Sequence, residues 1–201
     1  MGKRWAKVLI FLLCLAPLGL GWYRWNNDLI PNPIEFLQHF TGDWAIRLIV
    51  VTLAITPLRQ VLHLPSLIRF RRMIGLFAFF YATLHFTTYL WLDKNFELTA
   101  MLRDVGKRPF ITVGFASLVL MIPLAVTSTA GWIRRLGGKR WQMLHRLVYA
   151  SGVLAVVHYY WLVKSDVRLP LLYGALVALL LAYRVIRFTV VSRPSAVKRL
   201  P

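Results

Sequence analysis

The chain has 201 residues, 58% of them hydrophobic and 14% aromatic, with a mean hydropathy of +0.60 and a formal net charge of +18. No soluble domain of this length needs so much apolar surface, and the apolar residues come in long blocks, which excludes an ordinary soluble enzyme. A charge of +18 raises nucleic acid as a partner, but its placement between the blocks argues against that reading.

The blocks run over residues 8–25, 44–62, 74–92, 111–128, 142–163 and 170–191. Each is close to the roughly 20 residues that span a hydrocarbon core. The expected fold is therefore an all-α integral membrane protein, a six-transmembrane-helix bundle forming a single domain over residues 1–201. Lys3, Arg4 and Lys7 before the first block also suit a signal peptide, but no small-residue cleavage site follows. The run instead continues into Trp22, Tyr23 and Trp25, so a retained helix is expected. Thr56-Pro57 closes the second block, with His39 in the loop before it and His63 just beyond it, both read as solvated. His85 lies in the third block. Lys107-Arg108-Pro109 precedes the fourth, which Pro123 should kink. Gly137-Gly138 breaks the connection to the fifth, which carries His145 and His158. Pro170 opens the sixth near its first turn, and a short basic tail from Ser192 is expected to fray. Trp91, Trp132, Trp141, Trp161 and Tyr173 mark membrane interfaces.

Seventeen of the 25 Lys and Arg fall before the first block, in 59–72, in 134–146 and in 184–199, all on one side of the membrane. All seven acids (Asp28, Glu35, Asp43, Asp93, Glu97, Asp104 and Asp166) fall on the other side. The positive-inside rule then makes both termini cytoplasmic. Basic loops also favour anionic headgroups, which accounts for most of these charges without a specific site. The runs Arg69, Arg71, Arg72 and Arg134, Arg135, Lys139, Arg140 are topology signals first. A concave basic rim holding Arg71 and Arg72 is also chemically suited to a flavin phosphate or a quinone carbonyl.

Ionisable side chains at membrane depth point to function, and neutral imidazole is a common metal ligand. With both termini inside, the third and fifth spans run in the same direction. His85 lies eight residues before Asp93 and His158 six before Lys164, so the two share a depth near the outer face. Two such imidazoles suit the two axial positions of one haem iron, and a six-coordinate iron favours electron transfer over oxygen binding. Ala82, Thr83 and Ala155 are small enough to admit a macrocycle. Cys14 is the single cysteine and there is no C-x-x-C-H, so the haem is expected to be b-type. His145 lies 13 residues before His158, roughly 20 Å along a continuous helix and some 140° around it. It could serve a second haem, pair through another face, or share a haem, and its opposite number near the third span is Arg71 or Arg72 rather than histidine.

Thr56-Pro57-Leu58-Arg59, Arg69-x-Arg71-Arg72-x-x-Gly75-Leu76 and Tyr81-x-x-x-His85 resemble the ferric-reductase-like transmembrane family. So do Thr127-Ser128, Arg134-Arg135-Leu136-Gly137-x-x-Trp141-x-x-Leu144-His145-Arg146-Leu147-x-Tyr149 and His158-x-x-Trp161, and the resemblance covers essentially the whole chain. It implies a multi-pass cytochrome of the bacterial inner membrane with haem b, one or two, ligated by His85, His145 and His158, together with FMN. It further implies a periplasmic molybdenum-containing methionine sulfoxide reductase subunit as electron acceptor, and the quinone pool or a cytoplasmic flavin reductase as donor. The chain would thus be an electron-transfer subunit of a methionine sulfoxide repair system, with no catalytic residue of its own for the final substrate. The sequence lacks a G-x-G-x-x-G fingerprint and a P-loop, so hydride from NAD(P)H is expected to enter through another protein. A stand-alone ferric or oxygen reductase of the same fold is the alternative. A small transporter with histidine proton relays is a further one, against which the spans lack paired broken helices.

Overall fold

The computed structural model describes residues 2–27 and 29–191; Asp28 and the basic tail from Ser192 lie outside the described residues. Within these residues there is no strand, and nine α-helices follow in order. They are α1 (Gly2–Asn26), α2 (Pro33–Val61), α3 (Ile68–Thr88), α4 (Leu98–Lys107), α5 (Pro109–Val126), α6 (Ala130–Leu136), α7 (Gly138–Leu144), α8 (Leu147–Leu162) and α9 (Arg168–Val191). A 3₁₀ turn (Pro65–Leu67) leads into α3 and a π turn (Tyr89–Asp93) ends it.

Among the described residues, five stretches are long and apolar enough to cross a bilayer: Arg4–Asn26, Pro33–Val61, Pro65–Asp93, Pro109–Val126 and Arg168–Thr189. The fifth of the six expected spans differs. Residues 142–163 do not form one helix: the ladder is interrupted at His145 and Arg146, leaving α8 with 16 residues. Its rise of about 24 Å falls short of a hydrocarbon core of about 30 Å. The cause is local, since Arg146 and Tyr149 bond three residues back, to Met143 and Arg146, and His145 is stacked on Trp141 with ring centres 3.9 Å apart.

The second helix departs from expectation at its start. It begins at Pro33, where Asn32 caps it by accepting from the Glu35 amide (3.3 Å) while its own amide donates to the Glu35 carboxylate (3.0 Å). Hydropathy missed this because the cap and first turns are polar, although Asn-Pro-x-Glu is a helix-start signal in its own right. His39, read as a loop residue, therefore sits on α2.

Four helices form the inner bundle: α2 packs on α3 and α5 on α8, with α3 against α5 and α2 against α8 joining the pairs. Helix α1 lies outside against α3, and α9 against α8 and α2. Tyr81, fully buried, ties α3 to α1 by donating to the Cys14 carbonyl (2.9 Å). Arg184 of α9 donates to the Leu53 carbonyl of α2, and Tyr183 to Gln60 (2.7 Å). Leu12, Leu13, Leu179 and Val185 are exposed on the two outer helices, a surface suited to lipid rather than water.

Helices α5 and α8 are joined by two serines. Ser117 Oγ donates to the Ser151 carbonyl (2.9 Å), Ser151 Oγ donates to the Ser117 carbonyl (3.1 Å), and Ser151 is fully buried. Small residues allow that approach, and Gly152 beside them lies against Ile49 and Leu53 of α2. Ser151→Ala should therefore cost about 0.6 kcal/mol per lost bond, and Ser151→Leu about 1–3 kcal/mol by overpacking. Thermal unfolding of the two variants in one detergent reads that order.

Candidate functional site

His85 of α3 and His158 of α8 face each other inside the inner bundle, their ring centres 6.1 Å apart and their planes at 71°. Each is tied in the same way. His85 Nδ1–H donates to the Gln38 carbonyl of α2 (2.9 Å), and His158 Nδ1–H donates to the Phe110 carbonyl of α5 (2.7 Å). The residue four positions after each carbonyl is a glycine, Gly42 and Gly114. Helical geometry stacks that residue directly over the carbonyl, so the missing side chain is the space in which the ring lies. A Cβ on Gly114 would stand 2.6 Å from His158 Nδ1, and one on Gly42 3.1 Å from His85 Nδ1. The tethers commit both rings to the tautomer with a free Nε2 lone pair, the form that binds metal.

The two rings line a cavity of about 330 Å³ enclosed by α2, α3, α5 and α8, within the usual range of about 300–1,000 Å³ for small-ligand sites. Its walls are largely apolar, with Ile49, Phe86, Phe115, Leu118 and Met121, and the expected small residues Ala82 and Ala155 are among them. Thr83 is not: it is exposed and bonds back to the Phe79 carbonyl (2.9 Å). The polar lining is concentrated at the acid-bearing end, where His39, Tyr89, Asp93 and Arg108 stand. There Asp104 of α4 pairs with Lys94 (2.6 Å) and accepts from Tyr89 (3.0 Å), locking the π turn to α4. Those contacts, Lys94 foremost, hold the Asp104 carboxyl below the ordinary carboxylate range. A carboxyl lowered on folding stabilises above its unfolded pKa and stops doing so as pH falls through the folded one, so this lock persists at neutral pH.

Within α2, Asp43 lines the same cavity and pairs with Arg47 (3.0 Å), which also donates to Tyr173 of α9 (3.1 Å). Both charges thus lie well inside a helix that starts ten residues earlier, and each has a partner.

His145 stands apart from the pair. It caps the C-terminus of α7, and its Nε2 lies 3.1 Å from Thr127 Oγ1. Thr127 already donates to the Pro123 carbonyl (2.6 Å), so its oxygen accepts and Nε2 of His145 carries the proton. That is the opposite tautomer to His85 and His158. No second histidine faces it among the described residues. Of the two arginines expected at this rim, Arg71 is half-buried with a guanidinium nitrogen 3.5 Å from Thr56 Oγ1, whereas Arg72 is exposed.

Residues 41–156 match the family model described as ferric reductase like transmembrane component. The chain belongs to the ferric-reductase-like transmembrane family. Curated relatives cover most of its length. One from Herminiimonas arsenicoxydans is 54% identical over 182 residues, 89% of this chain and 84% of the relative. Others from Xanthomonas campestris pv. campestris (strain 8004) and Bordetella pertussis (strain Tohama I) are 51% and 52% identical, over 90% and 89% of this chain and 85% and 88% of the relative. All three are named protein-methionine-sulfoxide reductase heme-binding subunit MsrQ. The matched family segment contains His85 and His145 together with Gly42 and Gly114, and ends two residues before His158.

Gln38, Gly42, Phe110 and Gly114 are absent from the sequence reading of the site. The only linear hint is that Gln38-x-x-x-Gly42 and Phe110-x-x-x-Gly114 share one spacing, and it carries no meaning until histidines from other helices are laid on them. Gly114→Ala should destabilise the bundle by about 1–3 kcal/mol through overpacking against the His158 ring, and Gly42→Ala should have a smaller effect. Gly19→Ala and Gly106→Ala, where nothing lies within 4 Å, should be silent. Thermal unfolding in one detergent measures all four.

Proposed function

We propose that this chain is a membrane electron-transfer subunit holding haem b between His85 and His158. One observation carries the reading: two imidazoles with Nδ1 tethered to backbone carbonyls and their ring centres 6.1 Å apart. An imidazole-to-metal bond is about 2 Å and the ring centre about 1.1 Å beyond the nitrogen, so one metal between two such rings needs roughly 6 Å. Among the described residues no cluster of three or more His, Cys, Asp or Glu forms to hold a bare ion. A metal at this pair therefore needs equatorial ligands of its own, as a porphyrin provides. Haem b, when bound, supplies reversible one-electron chemistry.

The chain's residues set the conditions for that chemistry. Two carbonyl tethers fix the ring orientations and the largely apolar walls keep the pair away from bulk water, and a haem held by both imidazoles would be suited to electron transfer rather than oxygen binding. His145 belongs to the family motif, and a part for it in a second haem would require Thr127 to release its Nε2. Arg71, with Arg72 beside it, remains the candidate rim for FMN or quinone at the arginine-rich end, supported by its inward, half-buried position.

The charge asymmetry supports six spans in one domain over residues 1–201, in the bacterial inner membrane, with both termini cytoplasmic. Electrons would enter from the quinone pool or a cytoplasmic flavin reductase and leave at the acid-bearing end to a periplasmic, molybdenum-containing methionine sulfoxide reductase subunit. The relatives' shared name supports this role in protein methionine sulfoxide repair.

The optical spectrum of the purified chain tests the site. The unsubstituted protein should show low-spin b-type bands that disappear in His85→Ala and in His158→Ala. His145→Ala should retain the bands of the haem held by the pair. Unchanged bands in His158→Ala would remove this function from the pair.

A further inference from the structure

The haem site proposed above leaves the two carboxylates of the cofactor's edge without a stated partner, and the cavity offers them one fixed positive charge. Of the residues lining it, Arg108 alone carries a guanidinium or ammonium group. It stands at the mouth, immediately before Pro109 opens α5 and two residues before the carbonyl that tethers His158. Its nearest carboxylate is already engaged. Asp104 is held by Lys94 at 2.6 Å and by Tyr89 at 3.0 Å, and Arg108 reaches it only at 3.7 Å. One acid shared by two cations leaves a net positive charge at the mouth, and the Arg108 guanidinium, the farther of the two from Asp104, keeps donors for a second anion. The two acids of the lining itself are differently placed: Asp43 is paired with Arg47, while Asp93 is exposed at the end of the π turn. The mouth is thus positive where α5 begins and negative where α3 ends. The α5 N-terminus adds its own partial positive charge on the same side.

We infer that Arg108 binds the propionates of the haem and so sets the rotational orientation of the macrocycle, with its carboxylate edge toward the start of α5 and away from Asp93. The inference rests on the bis-imidazole site. A guanidinium matches a carboxylate through paired N–H donors, whereas an ammonium meets it as a point charge. Lysine at 108 should accordingly restore only part of the effect.

The test is the rate at which the haem-loaded full chain, in detergent, loses its cofactor to excess apomyoglobin, measured for haem b and for its dimethyl ester. Arg108→Gln should accelerate loss of haem b about tenfold or more, as for a lost charge-assisted hydrogen bond, with the low-spin bands unchanged. Arg108→Lys should be intermediate, and Asp93→Asn should slow the loss. With the dimethyl ester, whose propionates carry no charge, all four proteins should lose cofactor at one rate. If Arg108→Gln does not accumulate, Arg108→Lys and Asp93→Asn give the same comparison. Equal haem b loss from the unsubstituted chain and from the variants would overturn the inference, and so would acceleration that persists with the ester. Absence of low-spin bands from the unsubstituted chain would instead overturn the underlying site.

Discussion

An imidazole placed among apolar helices has two nitrogens to satisfy, and in this protein one of them is spent on a helix backbone. The carbonyls of Gln38 and Phe110 each take the Nδ1 proton of a histidine from a neighbouring helix. Such a bond requires the ring to lie almost on the helix surface, which is possible only where the residue one turn on has no side chain. Gly42 and Gly114 meet that requirement. The tether settles tautomer, ring position and the direction of the remaining lone pair together. The separation of the two rings, the shape of the cavity and the chemistry proposed for it all depend on that contact.

The rest of the molecule keeps polar groups out of lipid while leaving its outer surface apolar. No buried side-chain nitrogen or oxygen lacks a hydrogen-bond partner among the described residues. Asp43 and Arg47 neutralise one another, Ser117 and Ser151 satisfy each other's hydroxyls, and Arg184 donates to carbonyls of α2 and α9. The serine pair joins α5 to α8 and the Arg184–Leu53 bond joins α9 to α2, so these contacts also hold helices in register around the cavity. In hydrocarbon, interhelical polar contacts and close packing of small residues take over much of what the hydrophobic effect does in water.

The two ends of the bundle are built for different tasks. At the acid-bearing end a π turn, a short helix and the Lys94–Asp104 pair frame the mouth of the histidine cavity. The arginine-rich end has His145 stacked on Trp141 and bonded to Thr127, with the inward Arg71 and the exposed Arg72 nearby. The three histidines singled out in the sequence therefore occupy two chemically distinct settings. A protonated Nε2 hydrogen-bonded to a hydroxyl differs from a free Nε2 facing a cavity, whatever the spacing along the chain.

The all-α membrane class, the charge asymmetry and the approach of His85 to His158 were legible in the residues themselves. Block length, basic loops and a buried ionisable side chain are local properties, and the shared depth of the two histidines follows from counting along spans. The break at His145, the early start of α2 at Pro33 and the tethering carbonyls were not legible in the same way. The first arises because a Trp–His stack and a neighbouring hydroxyl outweigh helix propensity over one turn. The second was written in an Asn-Pro-x-Glu cap that a hydropathy average conceals. The pairing of each histidine with a glycine on another helix was decided only in three dimensions, because such a contact joins residues 43 and 44 positions apart that share no local signal.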